Sequence, residues 1–265
     1  MPEYGSKEYW NARYERVDEP FDWMVDYSAL APTLQALIID KNLSILLVGC
    51  GDAPFSADLF YLGGYQNQVN ADYSEIVIEK QKKLWPEIQW RVLDCLDMKE
   101  VTDGTFDVII DKSLIDTCMC YKDGHNTTMK LYSELHRVLK SGGRLITISL
   151  HSEEEVIQYG TTNPNCEFVA SSCSLASERH AGGFHALCVF DKTSGLDPIT
   201  QLKLTSEHPI EFVNAVDRAL LPKEVLTSGS DSDEESVDYN FGFSSHDDLV
   251  FAFGQALDEV FVDNA

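Results

Sequence analysis

The chain lacks a long apolar run, because none of its segments reaches the roughly 18 consecutive apolar residues that a membrane-spanning helix requires. Its first ten residues combine no basic stretch with an apolar core, so we expect no secretory leader. With 265 residues, 44% of them hydrophobic, the chain has the size and composition of a globular protein with a substantial core. The composition therefore predicts a protein that works away from membranes.

Basic residues are also scarce. The chain has 20 lysines and arginines against 44 aspartates and glutamates, which gives a net charge of -24. This charge argues against binding nucleic acid, because such binding depends on neutralising phosphates with basic side chains. An acidic surface suits a basic protein partner, or it serves solubility alone, and composition leaves both interpretations open.

The cysteines show no disulfide pattern. Their number, seven, is odd and their spacing is irregular, which predicts a reduced, cytoplasmic compartment. A possible metal cluster consists of Cys173, His180, His185 and Cys188. Their spacing matches no standard zinc pattern, so we expect no metal.

Between residues 44 and 150, strand-like and helix-like segments alternate. The predicted strands are Ser44–Val48, Gln68–Ala71, Ile88–Leu93, Phe106–Asp111 and Gly143–Leu150, and the helices lie near 53–62, 74–84 and 126–140. This alternation predicts an α/β fold in which a parallel sheet carries helices on both faces. Glu167–Leu175 and Phe184–Lys192 then read as an antiparallel hairpin at one end of the sheet, which completes a domain over 44–195.

Two extensions flank this domain. Residues 1–43 are rich in aromatic residues and predict a cap over a ligand site, with a helix near 28–40 that has Pro32 in its first turn. Residues 196–265 contain an acidic low-complexity segment at 227–238, which predicts a mobile loop. An amphipathic helix is predicted at 245–261, and it either packs back on the domain or binds a partner.

The chemistry concentrates where the predicted strands end. Gly49 and Gly51 follow the first strand, Asp72 follows the second and Asp94 follows the third. In an open parallel sheet, ligands bind outside the carboxyl ends of the strands. Glycine lets the backbone approach a ligand closely, and a carboxylate at the second strand end can accept hydrogen bonds from both hydroxyls of a ribose. The pattern predicts a site for an adenosine-containing cofactor.

A third glycine is missing from this turn. Dinucleotide-binding folds use G-x-G-x-x-G, and Pro54 occupies the position of the last glycine here. The signature for a pyrophosphate is therefore broken. S-adenosylmethionine contains no phosphate and does not require that turn, so the pattern favours S-adenosylmethionine as the cofactor.

Several longer motifs carry a family resemblance over about residues 4–150. They are YWNARY (Tyr9–Tyr14), FDW (Phe21–Trp23), LVGCGDAPFS (Leu47–Ser56), NADYS (Asn70–Ser74), LDCLDM (Leu93–Met98), FDVIIDKSLID (Phe106–Asp116) and ELHRVLKSGGRLITIS (Glu134–Ser149). The chain resembles the class I, seven-strand S-adenosylmethionine-dependent methyltransferases. More narrowly, it is similar to the group that includes the lysine methyltransferases of translation elongation factor 1A. It departs from that group at Asp52, where a small polar residue or asparagine is usual, and within Lys112–Asp116.

The resemblance implies a doubly wound, mostly parallel seven-strand sheet and a set of cofactor-binding residues. In that set Trp10, Tyr14 and Trp23 lie over the cofactor, and Gly49 and Gly51 lie beneath it. Asp72 and Tyr73 bind the ribose and adenine, Asp94 and Cys95 contact the adenine, and Lys112 lies near the amino-acid end. The residue types alone leave open that the three aromatic side chains only pack in the core and that Lys112 is a surface charge.

The implied activity is methylation of a lysine in a basic protein such as translation elongation factor 1A. Two alternatives remain at this stage: a small-molecule methyltransferase whose residues beyond 150 form a lid, and a non-catalytic scaffold that binds the cofactor. Asp111 and Asp116 are candidates for orienting an incoming lysine through hydrogen bonds. No general base is identified, because a nearby carboxylate raises the pKa of an ammonium group.

Overall fold

The computed structural model describes residues 3–16, 20–176 and 184–195. These residues form the helices α1 (Lys7–Arg16), α2 (Tyr27–Leu37), α3 (Phe55–Tyr61), α4 (Glu75–Leu84), α5 (Leu114–Met119), α6 (Gly124–Val138) and α7 (Glu153–Thr161). The strands are β1 (Ile45–Val48), β2 (Gln68–Asp72), β3 (Gln89–Val92), β4 (Phe106–Lys112), β5 (Leu139–Ser149), β6 (Phe168–Ala176) and β7 (Phe184–Lys192). Within these ranges, every helix is too short or too polar to cross a membrane.

The strands form one sheet in the order β3-β2-β1-β4-β5-β7-β6. The first five strands in that order run parallel, and β7 pairs antiparallel with both β5 and β6. This arrangement confirms the predicted α/β fold with its terminal antiparallel hairpin. The segment 227–238 and the predicted helix at 245–261 lie outside the described residues.

The central strands are buried on both faces, which explains why they read as continuous apolar runs. Successive side chains of a strand point to opposite faces. Accordingly, Ile45 and Leu47 belong to one core cluster and Leu46 and Val48 belong to the other. α2 packs on the first face and α6 on the second, so the sheet is covered on both sides.

The register of the central strands brings their carboxyl ends to one edge. Val48, the last residue of β1, lies opposite Ala71 of β2 and Asp111 of β4. The chain therefore leaves all three strands at the same level, and the residues that follow these pairs emerge side by side.

Two predicted helix boundaries are wrong. α2 begins at Tyr27, because the Asp26 carboxylate accepts a hydrogen bond from the Ala29 main-chain N–H (3.0 Å) and caps the helix. Pro32 therefore lies inside the helix rather than in its first turn. The helix predicted near 126–140 ends at Val138, since Leu139 adopts an extended conformation and pairs with Phe106. β5 consequently begins four residues before the predicted start.

Three helices were not predicted. α1 lies in the aromatic N-terminal segment, and its buried Trp10 and Tyr14 join a third core cluster with Val77 and Trp90 at the α4 and β3 edge of the sheet. α5 and α7 follow the carboxyl ends of β4 and β5. All three lie near the edge of the sheet at which the parallel strands end.

Candidate functional site

The turn after β1 requires glycine at two positions. Gly49 and Gly51 have φ angles of +59° and +56°, in the left-handed region that side chains disfavour. A Cβ atom on Gly49 would lie 3.0 Å from Cβ of Leu114, and one on Gly51 would lie 3.2 Å from the Tyr14 hydroxyl oxygen. The two glycines therefore keep the floor of a cavity open at the edge where the strands end.

Asp72 ends β2 beside this turn. Its carboxylate accepts hydrogen bonds from the main-chain N–H groups of Ser74 (2.9 Å) and Gly51 (3.1 Å), one on each oxygen. A carboxylate has about four acceptor positions, so positions remain for hydroxyl groups of a ligand. Burial raises the pKa of Asp72 to about 6, although the two N–H groups act in the opposite direction.

The ends of β3 and β4 complete the lower part of the cavity. Asp94 and Cys95 follow β3, and the Asp94 carboxylate accepts a hydrogen bond from the main-chain N–H of Leu96 (2.9 Å). Burial raises the pKa values of the Cys50, Cys95 and Cys118 thiols, so these groups are neutral and act as small apolar surfaces. The strand ends thus offer an acidic group beside an apolar wall.

Aromatic side chains from the N-terminal segment form the opposite wall. Trp10 packs against Tyr14 and Trp23 with ring centroids 5.9 and 6.0 Å apart, and its indole N–H donates to the Tyr4 carbonyl (2.7 Å). Phe21 lies edge-on to Trp23 at 4.8 Å. Because rings in such contacts restrain one another, these side chains form a preformed cover.

Lys112 connects this cover to the sheet. Its ammonium group forms a buried ion pair with Asp22 and donates hydrogen bonds to the carbonyl groups of Trp23 (2.7 Å) and Val25 (3.3 Å). Met24, between these carbonyls, has a φ of +66°, which is a strained conformation for a residue with a side chain. Lys112 therefore holds the loop over 22–25 against the end of β4.

The structure brings all ten predicted cofactor-binding residues to one cavity. They are Trp10, Tyr14, Trp23, Gly49, Gly51, Asp72, Tyr73, Asp94, Cys95 and Lys112. Sequence analysis missed other lining residues, among them Phe55, Thr117, Cys118 and Tyr121. Three of these lie on or beside α5, which carried no recognised helix signal.

Asp111 and Asp116 do not line the cavity. Both are fully buried. Asp111 accepts hydrogen bonds from the main-chain N–H groups at the start of α5, and Asp116 accepts them from the Ser149 hydroxyl (2.7 Å) and the Leu150 N–H (2.9 Å). Burial and the neighbouring Asp116 raise the pKa of Asp111 to about 8, so it is mostly protonated at neutral pH. These contacts join β4, α5 and β5.

The hairpin cysteines do not form a metal site with other described residues. Cys173 and Cys188 are buried on β6 and β7, and His180 lies outside the described residues. In the part of the chain that the structure describes, no group of three or more histidine, cysteine, aspartate or glutamate side chains could hold a metal ion. All seven cysteines lie in this part, and none of them is joined in a disulfide.

Comparison with known proteins identifies similar chains. A family model described as a methyltransferase domain matches residues 39–204, more than half of the chain. A mouse protein named EEF1A lysine methyltransferase 4 is 28% identical over 160 residues, which cover 56% of this chain and 62% of that protein. A mouse eEF1A lysine and N-terminal methyltransferase is 33% identical over 157 residues, which cover 56% of this chain and 22% of that protein. The chain thus spans less than two thirds of either relative.

Solved structures share the fold. A geranyl diphosphate C-methyltransferase from Streptomyces coelicolor, in complex with S-adenosyl-L-homocysteine, has a TM-score of 0.52 at 15% identity, with coverage of 73% of this chain and 99% of that chain. A SAM-dependent methyltransferase from Methanosarcina mazei has a TM-score of 0.50 at 14% identity, with coverage of 60% and 97%. At these identities the likeness concerns the fold alone.

Proposed function

Because the chain belongs to the methyltransferase domain family, we propose that it is an S-adenosylmethionine-dependent methyltransferase that modifies a lysine side chain of a protein. The first candidate substrate is translation elongation factor 1A, which the names of the similar mouse proteins indicate. That substrate implies that the enzyme works in the cytoplasm. The observation that carries the proposal is the convergence of the ten predicted cofactor-binding residues on one cavity.

The residues of the cavity fit the cofactor. Asp72 has acceptor positions free for two ribose hydroxyls, and the apolar wall with Tyr73 and Cys95 suits an adenine ring. Gly49 and Gly51 leave space for a ligand to lie against the backbone. Trp10, Tyr14 and Trp23 then cover the ligand and exclude water from the reacting atoms.

When bound, S-adenosylmethionine would supply an electrophilic methyl carbon, to which an amine nitrogen bonds as the bond to the positively charged sulfur breaks and S-adenosylhomocysteine leaves. The protein contributes binding, orientation and exclusion of water. Lys112 acts as a positioning residue, since its ammonium group holds the loop that carries Trp23. Asp111 and Asp116 do not line the cavity, so neither carboxyl group is placed to take the proton of the acceptor lysine.

The acidic character of the chain supports a protein substrate. Its net charge of -24 attracts a basic segment and increases the rate of encounter with it. This attraction is screened by salt, so methylation of a basic protein should slow as ionic strength rises.

The proposal is tested by incubating the purified full chain with cofactor labelled in its methyl group and a cell lysate that lacks this protein. We expect label in a discrete protein band that contains elongation factor 1A, with the label on lysine by mass spectrometry. The Asp72→Ala variant, which loses the ribose acceptor, serves as the inactive control. Label that appears only in small molecules contradicts a protein acceptor.

A further inference from the structure

The ends of three helices expose large apolar side chains at one edge of the sheet. Among the described residues, the exposed large apolar side chains are Ile39, Tyr61, Leu62, Leu84, Trp85 and Val92. All but Val92 lie in the last turns of α2, α3 and α4 or within two residues after them. Each of these helices ends shortly before a parallel strand begins, so its last turn lies at the edge opposite the cavity. The five side chains therefore form a surface separate from the candidate site.

Contacts between the three helix ends make this surface continuous. The carbonyl group of Ile38, after α2, accepts a hydrogen bond from the hydroxyl of Tyr65, after α3 (2.9 Å). The rings of Tyr61 and Trp85 join the ends of α3 and α4, with centroids 5.7 Å apart. A contiguous patch of exposed apolar side chains is typical of an interaction surface. The helix-end patch consists of Ile39, Tyr61, Leu62, Leu84 and Trp85.

Basic side chains border the helix-end patch. Lys82 and Lys83 lie in the last turn of α4, and Lys41 follows the patch residue at the end of α2. Two acidic neighbours are already engaged, since Glu79 pairs with Lys82 and Glu87 accepts a hydrogen bond from the tyrosine hydroxyl of the patch. In a chain with a net charge of -24, such a basic border is unusual. It fits an occupant whose apolar side chains are flanked by acidic ones.

Residues 245–261 have this combination. They lie outside the described residues, and their sequence predicts an amphipathic helix. The predicted apolar stripe consists of Leu249, Phe253, Leu257, Val260 and Phe261. At about 100° per residue, acidic residues border this stripe on both sides, Asp248 and Glu259 on one and Asp247 and Asp258 on the other.

The chain leaves the described residues at the edge that carries the helix-end patch. β7 runs antiparallel to β5, so it ends where the parallel strands begin. Gly195, the last described residue, lies beside Ser141 near the start of β5, because a Cβ atom on Gly195 would lie 2.6 Å from the Ser141 hydroxyl oxygen. Five strand spacings, or about 24 Å, separate β7 from β3. Residues 196–244 can bridge this distance several times over, at up to about 3.3 Å per residue.

We propose that residues 245–261 dock as an amphipathic helix on the helix-end patch of the same chain. The apolar stripe covers the patch, and the acidic borders face Lys41, Lys82 and Lys83. The sizes agree, because three neighbouring helices packed about 10 Å apart spread their ends over about 20 Å, and the predicted helix is about 25 Å long. This contact goes beyond the proposed function and does not depend on it.

Carbodiimide crosslinking of the purified full chain tests the contact, because this reagent joins lysine amines only to carboxylates that touch them. Unlabelled and ¹⁵N-labelled chains are mixed in equal amounts before crosslinking, digestion and mass spectrometry. We expect links from Lys41, Lys82 or Lys83 to the acidic residues of 245–261, with both peptides from chains of the same isotope. Links between labelled and unlabelled peptides identify a second copy as the occupant and overturn the proposal.

Four variants separate docking from chance encounters. Phe253→Asp puts a charge in the apolar stripe, and Gln255→Asp is its control on the opposite side of the predicted helix. Leu62→Glu changes a patch residue that is 72% exposed, and Val92→Glu is its control on β3. Phe253→Asp and Leu62→Glu should each lower the yield of these links at least about tenfold, since each forfeits the burial of a large apolar side chain. The controls should stay within about twofold.

The domain itself should fold in every variant, because the changed residues are exposed or lie outside the described residues. An unchanged Tm confirms this. Absence of the links in the folded, unmodified chain overturns the proposal and leaves the patch to a different protein. Links that persist in both Phe253→Asp and Leu62→Glu also overturn it, because they arise without the apolar contact.

Discussion

Replacing Asp72 with asparagine should remove a pH-dependent cost from the stability of the ligand-free protein. Burial raises the pKa of this carboxyl from 3.8 to about 6. A difference of about two pKa units corresponds to about 3 kcal/mol. Asparagine resembles the protonated acid in carrying no charge, but its single amide oxygen can accept a hydrogen bond from only one of the Gly51 and Ser74 N–H groups, and this loss is the same at every pH. The variant should therefore avoid the free-energy cost of holding a buried charge.

The sign of this effect depends on pH. Below about pH 4 the carboxyl is protonated in both the folded and the unfolded chain, so the charge costs nothing. Between about pH 4 and 6 the folded chain holds the proton more tightly, and its stability falls as pH rises. Above about pH 6 the full cost remains. The effect of Asp72→Asn on stability should thus be more favourable at pH 8 than at pH 4 by up to about 3 kcal/mol, or roughly 5–10 °C in Tm.

Thermal unfolding from pH 4 to 8 measures the Tm difference between the variant and the unmodified protein. Asp97→Asn is the control, because the pKa of exposed Asp97 is lowered mainly by its hydrogen bond with Lys99. The same Asp72→Asn variant should bind S-adenosylhomocysteine about 10- to 150-fold more weakly, because it loses a charged acceptor for the ribose. A Tm difference between the variant and the unmodified protein that is no more favourable at pH 8 than at pH 4, or an unchanged Kd, refutes the reasoning.

Three further changes test other parts of the structure. Lys112→Met removes the ammonium group that pairs with the buried Asp22 carboxylate and should cost about 3–5 kcal/mol in urea unfolding. The double variant with Asp22→Asn should recover part of that loss, and strict additivity argues against the ion pair. Gly49→Ala should destabilise more than Gly104→Ala, because both have positive φ but only Gly49 is crowded, at 3.0 Å against 3.9 Å; equal losses of Tm contradict this. Asp111→Asn should keep methyl transfer within about threefold at pH 7, since the native carboxyl, with a pKa of about 8, is already mostly protonated; a loss above about 100-fold identifies a direct role in the reaction.

The central sheet could be predicted because the signals that mark its strands lie within short segments of the sequence. β1, β4 and the second half of β5 are rich in apolar residues, and their alternation with helices along the chain implies parallel pairing. α7 was missed although its capping box, Ser152 with Glu155, is visible in the sequence. α1 could not be identified from periodicity, because its buried aromatic residues are mixed with charged ones and their burial depends on contact with a distant part of the chain.

The candidate site also contains some features that the sequence predicts and others that only the structure shows. Asp72 follows from its spacing after the glycine turn, because the βαβ unit determines where the second strand ends. The partners of Lys112 lie about 90 residues earlier in the sequence, so its role in holding the loop is a tertiary property. Arg13 was read as part of a motif, and only the structure shows that its Nε atom is buried without a partner.

The most direct test of the central claim is calorimetric titration of the purified full chain with S-adenosylhomocysteine. The account predicts saturable binding of one molecule per chain, strongly weakened by Asp72→Ala and retained by the exposed control Asp97→Asn. Absence of binding by the unmodified, folded protein, or equal binding by the Asp72→Ala variant, would contradict the assignment of this cavity to the cofactor.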